Sequence, residues 1–254
     1  MVGRRRRRDA LAVAAVACWF LWLVPPLALW ARQYEYVQAL QFCFFAFVVP
    51  ALFVSGAAWR RLGGIARRRV AERDLSSASA DNVVRPAIGS SHGRAVVTTA
   101  VFLAVAVWWR TAPAVDALVR DGWLTLVESI SLVVAGSALF CHLIESPPIR
   151  PGTSRPYRIG ISAVVMWVVW IVAYLNGMSR SSWYDVFRSN AHRAISLAAD
   201  HQLAAGVMWM VSAAVFLPIV FWNLVQWLQS EDDPDDELYR LVRHERARGF
   251  FGPK

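Results

Sequence analysis

Residues 203–228 read LAAGVMWMVSAAVFLPIVFWNLVQWL, 26 consecutive positions without a charged side chain. Coiled at about 1.5 Å per residue, such a run reaches across the roughly 30 Å hydrocarbon layer of a bilayer. Backbone groups survive in hydrocarbon only if the segment closes its own hydrogen bonds, so the run predicts a membrane helix. Five further apolar blocks lie N-terminal to it, at 10–30, 37–59, 95–109, 123–144 and 159–176. The expected fold is therefore all-α, a polytopic membrane bundle of about six transmembrane helices. The 95–109 block is the shortest; it ends in Trp108-Trp109 followed by Arg110, the pattern of an interfacial aromatic belt with a snorkelling cation. Pro50 and Pro218 are expected to kink their helices, and Pro25-Pro26 to loosen the end of the first.

The composition agrees. Of 254 residues 57% are hydrophobic, yet Lys and Arg number 27 against 18 Asp and Glu, a net charge of +9. That is too apolar for an ordinary soluble domain or a disordered basic tail, and it argues against nucleic acid as a partner. The basic residues are 26 arginines and one lysine, Lys254. Sorted by connecting segment, 21 fall on one side of the six blocks (Arg4 to Arg8, the 60–94 loop, the 145–158 loop and the C-terminal tail) and six on the other. Positive charge stays in the cytoplasm, so both termini are expected inside, N-in and C-in. Arg4 to Arg8 ahead of an apolar stretch also has the outline of a secretory signal, but no A-x-A site follows, and the Pro pair with Trp19, Phe20 and Trp22 fits a retained anchor.

This reading divides the chain into a basic cytoplasmic tail (1–9), a transmembrane bundle (10–229) and a charged cytoplasmic tail (230–254). The bundle includes the cytoplasmic loop 60–94, with a surface helix around Arg67-Arg68-Arg69, and an outer-surface helix at about 181–200 carrying Trp183, Tyr184 and Phe187. Cys18, Cys43 and Cys141 sit singly in apolar runs, without disulfide or zinc spacing.

Polar groups at membrane depth are expensive, which makes them the first candidates for function. Gln38 and Gln41 open the second block, Glu128 lies near the start of the fourth, Asn176 closes the fifth, and Asp200, His201 and Gln202 open the sixth. With the termini inside, all of them fall toward the outer leaflet, where they can converge on one pocket. Thr125, Ser129, Leu132 and Gly136 share a helical face that lets another helix approach closely. His201 and Met208, seven apart, share another, and with Met178 they are the candidates for a soft metal such as copper. The same residues read equally as interhelical hydrogen bonds and core packing. No GxSxG, HExxH or phosphate-cradling glycine loop occurs, and no block holds two histidines as a membrane haem would need, so no enzyme is expected.

Four segments, in order, resemble the CtaG family of cytochrome c oxidase assembly factors, in the branch linked to caa-type oxidases. Residues 200–209, Asp200-His201-Gln202-Leu203-Ala204-Ala205-Gly206-Val207-Met208-Trp209, resemble the D-Q-Q-x-A-G-x-x-M-W element that opens the family's last helix. The run from Glu128 to Phe140 resembles E-H-x-x-F-x-x-A-G-x-L-x-F, and Pro113 to Leu118, with Asp116, resembles P-x-x-Y-D-x-A. Gln41 through Pro50 to Ser55-Gly56-Ala57 resembles the Q-H-x-x-L segment that runs to a proline.

The resemblance implies an assembly factor for a respiratory haem-copper oxidase, in a bacterial plasma (inner) membrane, with oxidase subunits as partners and copper as the metal handled. Where the family places outer-side histidines, this chain has Gln38, Phe42, Thr111, Thr125 and Ser129. The alternative is accordingly a metal-free accessory or scaffold subunit of a respiratory membrane complex.

Overall fold

The structure is a computed structural model that describes residues 2–57, 88–146, 151–178, 182–188 and 194–231. The surface helix expected around Arg67 to Arg69, the tail beyond Glu231, His192 and His244 lie outside the described residues. Within them the chain is helical and forms no strand segment. The helices are α1 (Val2–Leu21), α2 (Leu27–Gln33), α3 (Glu35–Cys43), α4 (Val49–Ser55), α5 (Ile88–Trp109), α6 (Ala112–Arg120), α7 (Leu124–Leu143), α8 (Arg155–Met178), α9 (Asp185–Arg188) and α10 (Leu197–Glu231). A π-helical turn, Phe44–Val48, joins α3 to α4 into one long helix.

Among the described residues five helices are long and apolar enough to cross a membrane: Glu35–Ser55, His92–Trp109, Leu124–Leu143, Arg155–Met178 and Leu197–Gln229. These are five of the six expected blocks. The first block, 10–30, is not one straight span, because Pro25 and Pro26 both lack an N–H and the helix ends before them, at Leu21. Its two pieces lie against the second membrane helix. Ala12 of α1 touches Gly56, the Trp22 ring lies 5.2 Å from that of Phe44, the Trp22 carbonyl accepts from Gln41 Nε2 at 2.8 Å, and α2 packs on α3. A broken helix thus runs antiparallel to the length of Glu35–Ser55.

Pro50 shapes the helix it sits in. Having no N–H, it leaves the Ala46 carbonyl without its α-helical partner, and the backbone widens into the π-helical turn just ahead. Gly136 of α7 seats in the resulting notch: a Cβ there would lie 2.7 Å from Pro50 Cγ and 2.8 Å from the Ala46 oxygen. The small-residue face read on the fourth block is this contact.

α10 packs along α8 and α3, and α7 against α5 and α4. The core between them is aromatic. Phe47 and Phe140 each stand 5.6 Å from Phe216, and Phe102 lies 6.2 Å from Phe47, all fully buried. Trp167, Trp209, Met210, Phe221 and Trp222 point outward, as side chains do where the solvent is lipid. α10 continues unbroken through Pro218.

Of the outer-surface helix expected at about 181–200, the described residues 185–188 make one short turn, α9, and residues 197–200 are the first turn of α10. Tyr184 and Phe187 do not lie on lipid; with Val115 of α6 they form a small buried cluster that pins the segment inward.

Candidate functional site

Five helix ends meet at one end of the bundle: the starts of α3, α7 and α10 and the finishes of α5 and α8. Each brings in a polar side chain. Glu35, Gln38, Arg110, Glu128, Asn176, Asp200 and His201 are all buried there, none more than 4% exposed.

Asp200 sets the geometry. Its Oδ2 accepts the backbone N–H of Glu35 at 3.0 Å and its Oδ1 that of Tyr36 at 2.9 Å. The first turn of a helix has N–H groups with no partner of their own and a partial positive charge, and the Tyr34 N-cap residue supplies no side-chain bond. A carboxylate from α10 therefore caps α3 across the fold, while its own place in the first turn of α10 suits that dipole too.

The next residue on α10 continues the network. His201 Nδ1 faces Glu35 Oε1 at 2.8 Å and its Nε2 faces the Asn176 carbonyl at 2.6 Å. With an acceptor on each nitrogen, the ring donates to both only as the imidazolium. Glu35 also accepts from Ser182 Oγ at 2.8 Å and from Asn176 Nδ2 at 3.4 Å. The buried pair is thus held on nearly every side by charge-assisted bonds.

Arg110 follows α5 and was expected to snorkel. Instead its guanidinium lies between the rings of Phe42 and Tyr184, 5.6 and 5.2 Å from their centroids, and Nη1 donates to Gln38 Oε1. Snorkelling is prevented by Tyr184, which covers the group from outside and whose hydroxyl donates to the Arg110 carbonyl at 3.2 Å. Burial pushes the Tyr184 phenol above its ordinary value, with the Arg110 charge drawing it part of the way back. The hydroxyl thereby stays a neutral donor at physiological pH.

Deeper groups are less well satisfied. Arg110 Nε and Nη2, Gln38 Nε2, both carboxylate oxygens of Glu128 and Asn176 Oδ1 have no hydrogen-bond partner among the described residues. Arg110 and Glu128 are thus both buried at this end of the bundle with no hydrogen bond between them.

This donor set does not fit copper. Both His201 nitrogens are committed, so the ring offers no lone pair. Met208 borders a cavity of about 10 Å³ together with the Arg110 cation, and Met178 is 65% exposed at the end of α8. Among the described residues no three His, Cys, Asp or Glu side chains gather as a metal site would need.

The family model for the cytochrome c oxidase caa3 assembly factor (Caa3_CtaG) matches residues 2–230. The chain belongs to this CtaG family. Its members are cytochrome c oxidase assembly factors, which places the chain in a membrane and in interaction with oxidase components. No curated protein and no solved structure matches it.

In this CtaG chain Asp200, His201, Gln38 and Glu128 are all buried at the same end of the bundle. Gln41 instead ties α3 to Trp22, and Asp116 Oδ1 accepts the Val186 N–H at 3.1 Å, fastening α9 to α6. Gln202 and Trp209 are exposed on the outside of α10. Sequence reading missed Glu35, Ser182 and Tyr184. Glu35 falls two residues before the expected start of its span, where an acid reads as loop; its spacing of three from Gln38, on one helical face, was the available signal.

Proposed function

We propose that this CtaG-family chain assists the biogenesis of a respiratory haem-copper oxidase in a bacterial plasma membrane as a non-catalytic protein without a resident copper ion. The observation that carries the reading is His201: a histidine within a family-like motif is held by Glu35 and the Asn176 carbonyl through both its nitrogens. The Asp200–Glu35–His201 network then serves to lock the ends of α3, α8 and α10 together, giving an oxidase subunit a rigid surface to assemble against.

The distribution of Lys and Arg, 21 on one side and six on the other, supports cytoplasmic termini and an outward-facing polar end. Residues 1–9 and 230–254 are then cytoplasmic tails flanking the 10–229 bundle. The test is deletion of the gene, followed by haem spectra, subunit accumulation and oxidase activity. Loss of assembled oxidase that added copper does not restore is the expected result; unchanged spectra and activity would reject the proposal.

A second reading, a permanent metal-free accessory subunit, is favoured by the same absence of an open ligand at His201. It predicts stoichiometric copurification with a mature complex, whereas a transient factor is found only with immature subunits.

A further inference from the structure

At the opposite end of the bundle from the polar network, α5 and α8 splay apart around a lateral cleft of about 630 Å³. We propose that this cleft binds one anionic glycerophospholipid, one of its two acyl chains along the cleft and its headgroup where α8 begins.

The cleft exists because its walls are small or turned aside. A Cβ built on Gly160 meets nothing within 4 Å, and Ala100 faces it from α5. The Thr99 hydroxyl bonds to the Ala95 carbonyl at 2.7 Å and adds no polarity to the wall. Polarity is graded along the length. Ser154 and Tyr157 line the mouth, the Tyr157 ring meeting His92 edge-on at 4.7 Å, while Leu103 and Val164 line the inner end.

Among the described residues, charge at the mouth is unbalanced toward positive. There Arg155 and Arg158 both converge on one acid, Glu145, at 3.4 and 3.0 Å, so one cationic charge is left over, and the Arg155 side chain retains 28% exposure. Basic mouths between membrane helices recruit anionic headgroups.

Length separates a lipid from a helix. From Ser154 to Val164 the cleft follows ten residues of α8, about 15 Å at 1.5 Å per residue, which is one leaflet of a 30 Å layer. Beyond that depth Leu103, Ala106 and Val107 close on Val168, Val169 and Val172, around a cavity of only about 10 Å³. A partner's transmembrane helix needs a groove across both leaflets. One acyl chain needs one.

The test uses the full chain in mild detergent, with phosphatidylglycerol and phosphatidylcholine as probes and bound lipid counted by native mass spectrometry. Wild type should keep one phosphatidylglycerol per chain, and roughly tenfold less phosphatidylcholine. Gly160→Phe projects a ring into the cleft from a position where a Cβ meets nothing within 4 Å, so it should keep the wild-type melting temperature and lose the lipid. Arg155→Gln should erase the preference for the anionic headgroup while leaving total lipid bound. Equal retention of the two lipids by wild type, or a wild-type lipid count in well-folded Gly160→Phe, would overturn the proposal. So would a photo-crosslinker at Val164 that captures an oxidase subunit's helix in the native membrane. Because the readout is bound lipid, it stands or falls independently of the assembly role.

Discussion

The Asp200 carboxylate caps the helix that begins at Glu35, accepting its backbone N–H at 3.0 Å from 165 residues away in the chain. One side chain thereby joins the start of α10 to the start of α3. The neighbouring His201 then grips the Glu35 side chain itself, so helix capping and ion pairing fall on the same two turns of α10.

Removing the cap should loosen the whole polar end. Asp200→Ala is expected to lower stability by about 1–2 kcal/mol for the lost cap, and more to the extent that the Glu35 and Tyr36 N–H groups stay buried. Asp200→Asn retains one acceptor oxygen and should fall between the two. Thermal melts in one detergent would check the order.

Glu35 and His201 should be strongly coupled. Each single change, Glu35→Gln or His201→Ala, strands a buried charge and should cost about 3–5 kcal/mol, whereas the double variant should lose much less than the sum. His201→Ala should leave the copper content of purified protein unchanged. A copper loss matching the His201 substitution would show that the ring serves a metal.

Arg110 and Glu128 make the opposite prediction about replacement. Both are buried, and the Nε and Nη2 of one and both oxygens of the other lack partners. Arg110→Met should destabilise, because it strands the buried Gln38 carbonyl oxygen, whereas Glu128→Leu removes two unpartnered buried oxygens and should leave the fold as stable as wild type or more so. If Glu128 were instead needed for assembly, the stable Glu128→Leu variant would fail to restore oxidase in a deletion strain.

Two glycines should behave differently. Gly136→Ala drives a methyl into the Pro50 ring and the Ala46 carbonyl, at 2.7 and 2.8 Å, and should cost about 1–3 kcal/mol. Gly160→Ala meets nothing and should leave the melting temperature unchanged or slightly raised.

Particular residues show which features the sequence made legible. The run 203–228 announces its helix because hydrocarbon tolerates no open backbone, and the observed α10 encloses it. Gly136 announces a close approach, since a small residue on a membrane helix has few other uses. Arg110 misled for a symmetrical reason. An arginine after a tryptophan pair looks identical whether it reaches water or is roofed over, and the roof is Tyr184, 74 residues further on.

Local composition by itself determined the helical membrane class and the family elements. Those follow from hydrophobic runs and their order, which are properties of neighbouring residues. Tertiary structure alone decided that the first block breaks and lies along the second, that Glu35 is His201's partner, and that both nitrogens of that ring are taken. A hydrogen bond depends on atoms meeting within about 3 Å, and residues 35, 176 and 201 meet only once three helices have packed.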